Sequence, residues 1–317
     1  MQGQPAKPAP VYKEVPFFKR LAIDFQKHKY KYLLILPIIV YLILFCYKPM
    51  YGLVIAFKNY RPTRGIWGSN WVGFLWFETF FKDPYFWRLL RNTFTISGLT
   101  ILFGFPAPII LALLLNEVRS NKFKRTVQTI TYMPYFISLV VTCSLLKIYC
   151  MENGLFPQIM ELFGAQRQNL LANPKYFYPI YILSDIWQGI GWNSIIYLAA
   201  LSGIDQEQYE AARIDVANRL QQVIHITLPG LMPTITILFI LRMGNILNVG
   251  YEKILLLYNP STYEVADVLS TYTYRTGLEN QQYSLSTAVG LFNTMVNVVF
   301  LLITNYISKK STESGLF

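Results

Sequence analysis

Six long apolar runs restrict this chain more than any other feature. They cover roughly 31–52, 92–116, 126–149, 177–201, 231–250 and 284–307. At ~1.5 Å of rise per residue, a helix of that length crosses a hydrocarbon core of ~30 Å. Backbone in lipid has no water to bond with, so apolar runs of this length take the helical form. Composition agrees: 53% of the residues are hydrophobic and only 14% are charged, against ~25% charged in soluble domains. The expectation is an all-α membrane protein with about six transmembrane helices.

The net charge of +11 comes from basic residues between and beside the apolar runs. That placement points to anionic headgroups and membrane orientation, not to nucleic acid. Basic residues from Lys13 to Lys31, the group Arg119, Lys122, Lys124 and Arg125, and the pair Lys309 and Lys310 fall on one side of a six-span chain. That side is expected to be cytoplasmic in a bacterial plasma membrane, with both termini there. The expected organisation is a cytoplasmic tail and amphipathic helix over 1–30, a membrane domain over 31–308 and a cytoplasmic tail over 309–317. The first apolar run reads as a retained span, because no small-residue cleavage site follows it. Cys46, Cys143 and Cys150 show no metal or disulfide spacing and read as buried apolar groups. His28 and His225 are isolated, and no nucleophile or metal constellation is evident, so no catalytic residue, metal or bound cofactor is expected.

Polar residues inside spans are costly and face protein or water. Asp185, Gln188 and Trp192 share one face of the fourth run at i, i+3 and i+7. Arg242, Asn245, Asn248 and Glu252 form roughly one stripe in and after the fifth, and Asn293 and Asn297 stand four apart in the sixth. With alternating span directions, these groups meet around one outward-facing cavity. Amides both donate to and accept from hydroxyls, and Trp192 offers an apolar face to a sugar ring. For each residue the competing role is a hydrogen bond between helices.

Between the fourth and fifth runs lies a long polar segment, about 202–230, with a helix start at Asp205 and Gln208 placed three residues later as in a capping box. Glu210-Ala211-Ala212, then Asp215, then Ile226 and Leu228-Pro229 follow at fixed spacing. This pattern resembles the EAA loop of ATP-binding cassette (ABC) importer permeases. Val216 stands where that pattern has glycine. The segments GFLWFETFFKDPYFWRLLRNTF and SDIWQGIGWNSIIYLAALSGIDQEQYEAA are similar to sugar-type permeases, and NVGYEKILLLYNP and TYTYRTGLENQQYSLSTAVGLFNTMVN resemble the subfamily that imports complex oligo- and polysaccharides.

The resemblance implies a type I ABC importer permease fold with a cytoplasmic coupling helix. Glu210, Ala211, Ala212, Asp215, Val216, Ile226, Leu228 and Pro229 would form the contact with an ATPase. It also implies a second permease subunit that is a different chain, an ATPase dimer that binds ATP and Mg, an extracellular solute-binding protein and a carbohydrate substrate. No GxxxxGK[ST] phosphate loop occurs in this chain, so ATP would be bound elsewhere. The competing function is an ion-coupled secondary transporter, with Glu252 and Asp185 as proton sites.

Overall fold

A computed structural model describes residues 24–312 and 315–316. The expected tail and amphipathic helix over 1–30 fall largely outside the described residues. The chain divides into two units, Met1–Val54 and Ile55–Phe317.

In the first unit, α1 (Lys29–Tyr41) starts with Lys29 and Lys31, is apolar from Leu33 onward and buries no residue. It runs on through a π turn at Leu42–Tyr47. Cys46 is exposed, not buried as expected, whereas Cys143 and Cys150 are buried in the second unit.

The second unit opens with a hairpin that the apolar pattern did not disclose. Strands β1 (Lys58–Asn59) and β2 (Asn70–Trp71) pair antiparallel, with Lys58 opposite Trp71. There follow α2 (Leu75–Phe81), α3 (Phe86–Leu99), α4 (Pro106–Glu117), α5 (Asn121–Tyr132), α6 (Leu139–Cys150), α7 (Leu155–Leu162) and the long α8 (Pro174–Leu201). Beyond it lie α9 (Gln206–Ile214), α10 (Arg219–Gln222), α11 (Leu228–Met243), α12 (Tyr251–Leu257), α13 (Tyr263–Ala266), α14 (Leu269–Tyr274) and α15 (Tyr283–Thr312). Four buried clusters among the described residues hold them, the smallest made of Ala56, Phe77 and Ala288. Phe177 and Tyr181 of α8 pack with Cys143 and Cys150 of α6 and Ile254 of α12. Phe80, Leu89, Leu247, Leu269 and Val289 join α2, α3, α14 and α15. Ile109, Ala112, Tyr197, Leu201 and Leu231 join α4, α8 and α11.

Proline placement explains the irregular turns. Three of the four π turns among the described residues, Leu42–Tyr47, Thr100–Gly104 and Val223–Thr227, each end two residues before a proline, at Pro49, Pro106 and Pro229. A proline lacks the N–H and its ring presses on the carbonyl four residues back. Widening the preceding turn relieves that pressure while the helix continues.

Four helical stretches are long and apolar enough to cross a membrane: Lys29–Phe57, Phe86–Glu117, Arg219–Met243 and Tyr283–Lys310. The third run, expected to be one helix, is broken: Asn121–Phe136 and Leu139–Cys150 meet at 97°. Pro134 sits in the 3-10 turn at the break, and the Ser138 hydroxyl caps the new helix by accepting from the Val141 N–H. Helix α8 has 28 residues, ~42 Å of rise, but is too polar to meet the apolar criterion. One side of it packs against α4, α5 and α11, and a face turned to protein need not be apolar.

Close packing of α8 on α5 depends on Gly191. A Cβ there would stand 2.1 Å from the Thr131 carbonyl oxygen. The carbonyl freed at the 97° break is also met from α8, where the Gln188 amide donates to Ile137 O at 3.0 Å.

Candidate functional site

The loop over 202–230 begins when Asp205 caps α9, its carboxylate accepting from the Glu207 N–H at 3.0 Å. Gln208 does not return the second bond of a capping box, so the cap is one-sided. Helix α9 carries Glu210 and Ala211 on an exposed face. It ends in a Schellman turn: the Val216 N–H bonds to Arg213 O at 3.1 Å and the Ala217 N–H to Ala212 O at 2.9 Å. Val216 takes φ +58. The valine does not abolish the left-handed turn that glycine would make easily; it adopts it, at a steric cost. Asp215 precedes it as the helix cap.

Asn218 then starts α10 with a reciprocal capping box to Gln221. The π turn follows, and Leu228-Pro229 opens α11. Ala212, Asp215, Val216 and Ile226 come together around a shallow cavity of about 360 Å³ with Gln221 and His225 on its wall. The Tyr209 hydroxyl lies 3.0 Å from that of Thr227 and ties α9 to the start of the spanning helix.

Two cavities lie between the turn at Thr100, α8 and α11, the first closed by α4 and the second by α12. One, of about 430 Å³, is lined by Asp185, Asn193, Arg242 and Asn245 together with Thr100 and Tyr197. The other, of about 390 Å³, is lined by Tyr181, Asp185, Arg242, Asn248, Glu252 and Lys253. Asp185 accepts from Lys253 Nζ at 3.3 Å, and the same ammonium donates to Tyr181 O at 3.1 Å. Lys253 also stands 4.7 Å from the Tyr181 ring centre. This buried lysine was not singled out from the sequence, because its partner is 68 residues away.

The polar stripe expected in the fifth run is not continuous. Helix α11 ends at Met243 and Glu252 belongs to α12. A chain of amides spans the gap instead. The Asn248 amide donates to Asn245 Oδ1 at 3.1 Å, Asn293 donates to Asn248 Oδ1 at 3.1 Å, and Asn297 donates to Asn293 Oδ1 at 3.4 Å. Asn297 in turn accepts from the Leu247 N–H at 2.9 Å. Gln188 and Trp192 line neither cavity. Gln188 caps the break before α6, and Trp192 stacks on Tyr135 with centroids 4.6 Å apart.

Comparison with known families decides the class. The family described as "Binding-protein-dependent transport system inner membrane component" matches residues 104–313. The chain belongs to that family. It is a permease subunit of an ABC transport system and an integral membrane protein, with the type I permease fold. The permease is 45% identical over 300 residues to the polygalacturonan/rhamnogalacturonan transport system permease protein YteP of Bacillus subtilis (strain 168), covering 94% of each chain. It is 44% identical to a chain of a bacterial ABC transporter involved in the import of the acidic polysaccharide alginate, with a TM-score of 0.85 over 92% of this chain and 99% of that one. A second structure of an alginate ABC transporter, in complex with an alginate pentasaccharide-bound periplasmic protein, matches with a TM-score of 0.86 and 44% identity, covering 94% of the permease and 100% of that chain.

One further cluster escaped the sequence reading. Asp267 is 1% exposed and holds Arg275 through two bonds, at 3.2 and 2.7 Å. Thr271 donates to the same carboxylate at 2.8 Å. The carboxylate holds the Arg275 guanidinium above its ordinary pKa. Asn92 of α3 donates to Glu264 O and Asp267 O, fixing the segment between α12 and α15 onto the bundle.

Proposed function

We propose that this permease is half of the translocation pathway of an oligosaccharide or polysaccharide importer, and that α9 is its contact with the ATPase. The single observation that carries the reading is the form of the 202–230 loop: a short capped helix with Glu210 and Ala211 exposed, closed by a left-handed turn, and bonded to the start of a membrane-spanning helix. Ile214 and Val216 are 82% and 86% exposed at its end, an apolar tip that gains from insertion into a partner's groove. Glu210 offers a carboxylate to a basic group at the groove edge. Ala212, Asp215, Ile226, Leu228 and Pro229 shape the turn and its link to α11.

The partners are a second permease chain, an ATPase dimer holding ATP and Mg, and an extracellular solute-binding protein. The loop, Arg119, Lys122, Lys124 and Arg125 then lie on the cytoplasmic side with both termini. Asp185, Asn245, Asn248 and Glu252 line the pathway. Asn293 and Asn297 hold the amide chain in place, while Gln188 and Trp192 support the break beside α8. This chain moves substrate and makes no covalent bond. The carbohydrate class is supported by the 45% identical relative, whose name states a polysaccharide cargo. The family match leaves an ion-coupled carrier without support.

The test is Glu210→Lys in the assembled transporter. Uptake is expected to fall at least tenfold while the variant stays in the membrane at normal abundance. Normal uptake at normal abundance would contradict the assigned contact.

A further inference from the structure

We infer that Arg242 reads the carboxylates of an acidic glycan as it passes through this subunit. The inference rests on the glycan reading above and adds the charge class and the residue that recognises it. Arg242 and Asp185 lie where the two cavities meet, since both line each of them. Their charges are not equivalent. Asp185 is engaged by Lys253, which is 3% exposed and held on its other side by the Tyr181 carbonyl and ring. Those two charges cancel locally. Arg242 is half-buried and makes no ion pair with any described residue. Glu252 lines only the second cavity and accepts from the Tyr251 hydroxyl at 3.4 Å.

The junction therefore carries a guanidinium with no ion-pair partner in a spanning helix, where a bare charge is costly to keep, with the Glu252 carboxylate on the wall of the second cavity alone. A neutral sugar would need only hydroxyl partners, and the amides of Asn245 and Asn248 already supply them. A guanidinium adds a planar fork matched to a carboxylate. One such fork, with the neighbouring ammonium already neutralised, holds each carboxylate briefly and lets it leave, as passage requires.

The experiment is uptake by the complete transporter, with its own solute-binding protein, in ATP-loaded proteoliposomes. The probes are radiolabelled trigalacturonate and its methyl ester, which differ in charge and little in shape. The readout is the ratio of acid to ester uptake in wild type, Arg242→Gln and Arg242→Lys. This ratio cancels differences in folding or assembly. The ratio is expected to fall about tenfold or more in Arg242→Gln, the scale of a lost charge-assisted bond, and less in Arg242→Lys, which keeps the charge and loses the fork. An unchanged ratio in Arg242→Gln, with wild type importing the acid, would overturn the role of Arg242 alone. Wild-type preference for the ester would overturn the acidic class. Failure of wild type to import either probe would count against the glycan reading, and the inference would fall with it.

Discussion

Val216 is the clearest case of a residue working against its own preference. A branched Cβ at φ +58 crowds the following carbonyl, at ~1–2 kcal/mol for an L-residue in that region. The turn persists because two Schellman hydrogen bonds and the π turn leading into α11 fix the chain on both sides. Val216→Gly is expected to stabilise the assembled transporter by about 1 kcal/mol, read as a rise in thermal midpoint. A fall would mean that the exposed valine contributes more through contact than it costs in strain. At Asp267 the balance is reversed, because a carboxylate 1% exposed has to keep its partner. Asp267→Asn leaves the Arg275 guanidinium half-buried without its counter-charge and is expected to cost about 3–5 kcal/mol, measured by denaturation in detergent. A loss below about 1 kcal/mol would show that water replaces the pair.

Among the elements, the long apolar runs were legible because a helix in lipid must be both long and apolar, and no other property of the chain imitates that. The break in the third run was not legible. Pro134 marks a possible kink, but a 97° turn depends on the Gln188 amide reaching Ile137 O and on Gly191 admitting α5 to close approach. Both come from a helix more than fifty residues later. Gly191→Ala places a methyl group 2.1 Å from a backbone oxygen, which no side-chain rotation relieves. A cost of about 1–3 kcal/mol is expected, together with reduced uptake. A variant with wild-type melting and uptake would show that α5 and α8 separate easily. The hydropathy continues past Met243, so the sequence extends the fifth span to about 250 and gives Asn245, Asn248 and Glu252 roughly one stripe. The chain leaves the helix at Met243, and Asn297 of α15 takes over the Leu247 N–H that the helix no longer bonds.

At the scale of the whole molecule, the coupling loop was more legible than the cavity. The loop's pattern is local: a cap, two alanines, a turn and a Leu-Pro start lie within about 25 residues, and each leaves a mark in the sequence. The cavity is assembled from α4, α8, α11 and α12, and its central pair, Asp185 and Lys253, has no local signature. Sequence reasoning reached Asp185 and Arg242 through their cost in an apolar run, but not the lysine that neutralises one and leaves the other free.

The central claim is that ATP hydrolysed on a partner chain drives a glycan through this subunit. The measurement that tests it most directly is uptake of a labelled oligosaccharide by proteoliposomes holding this permease with the chains that co-purify from native membranes, compared with and without ATP on the side of the loop. Uptake is predicted only with ATP and only when the solute-binding protein is present on the opposite side. Equal uptake without ATP, driven instead by a proton or sodium gradient, would contradict the account.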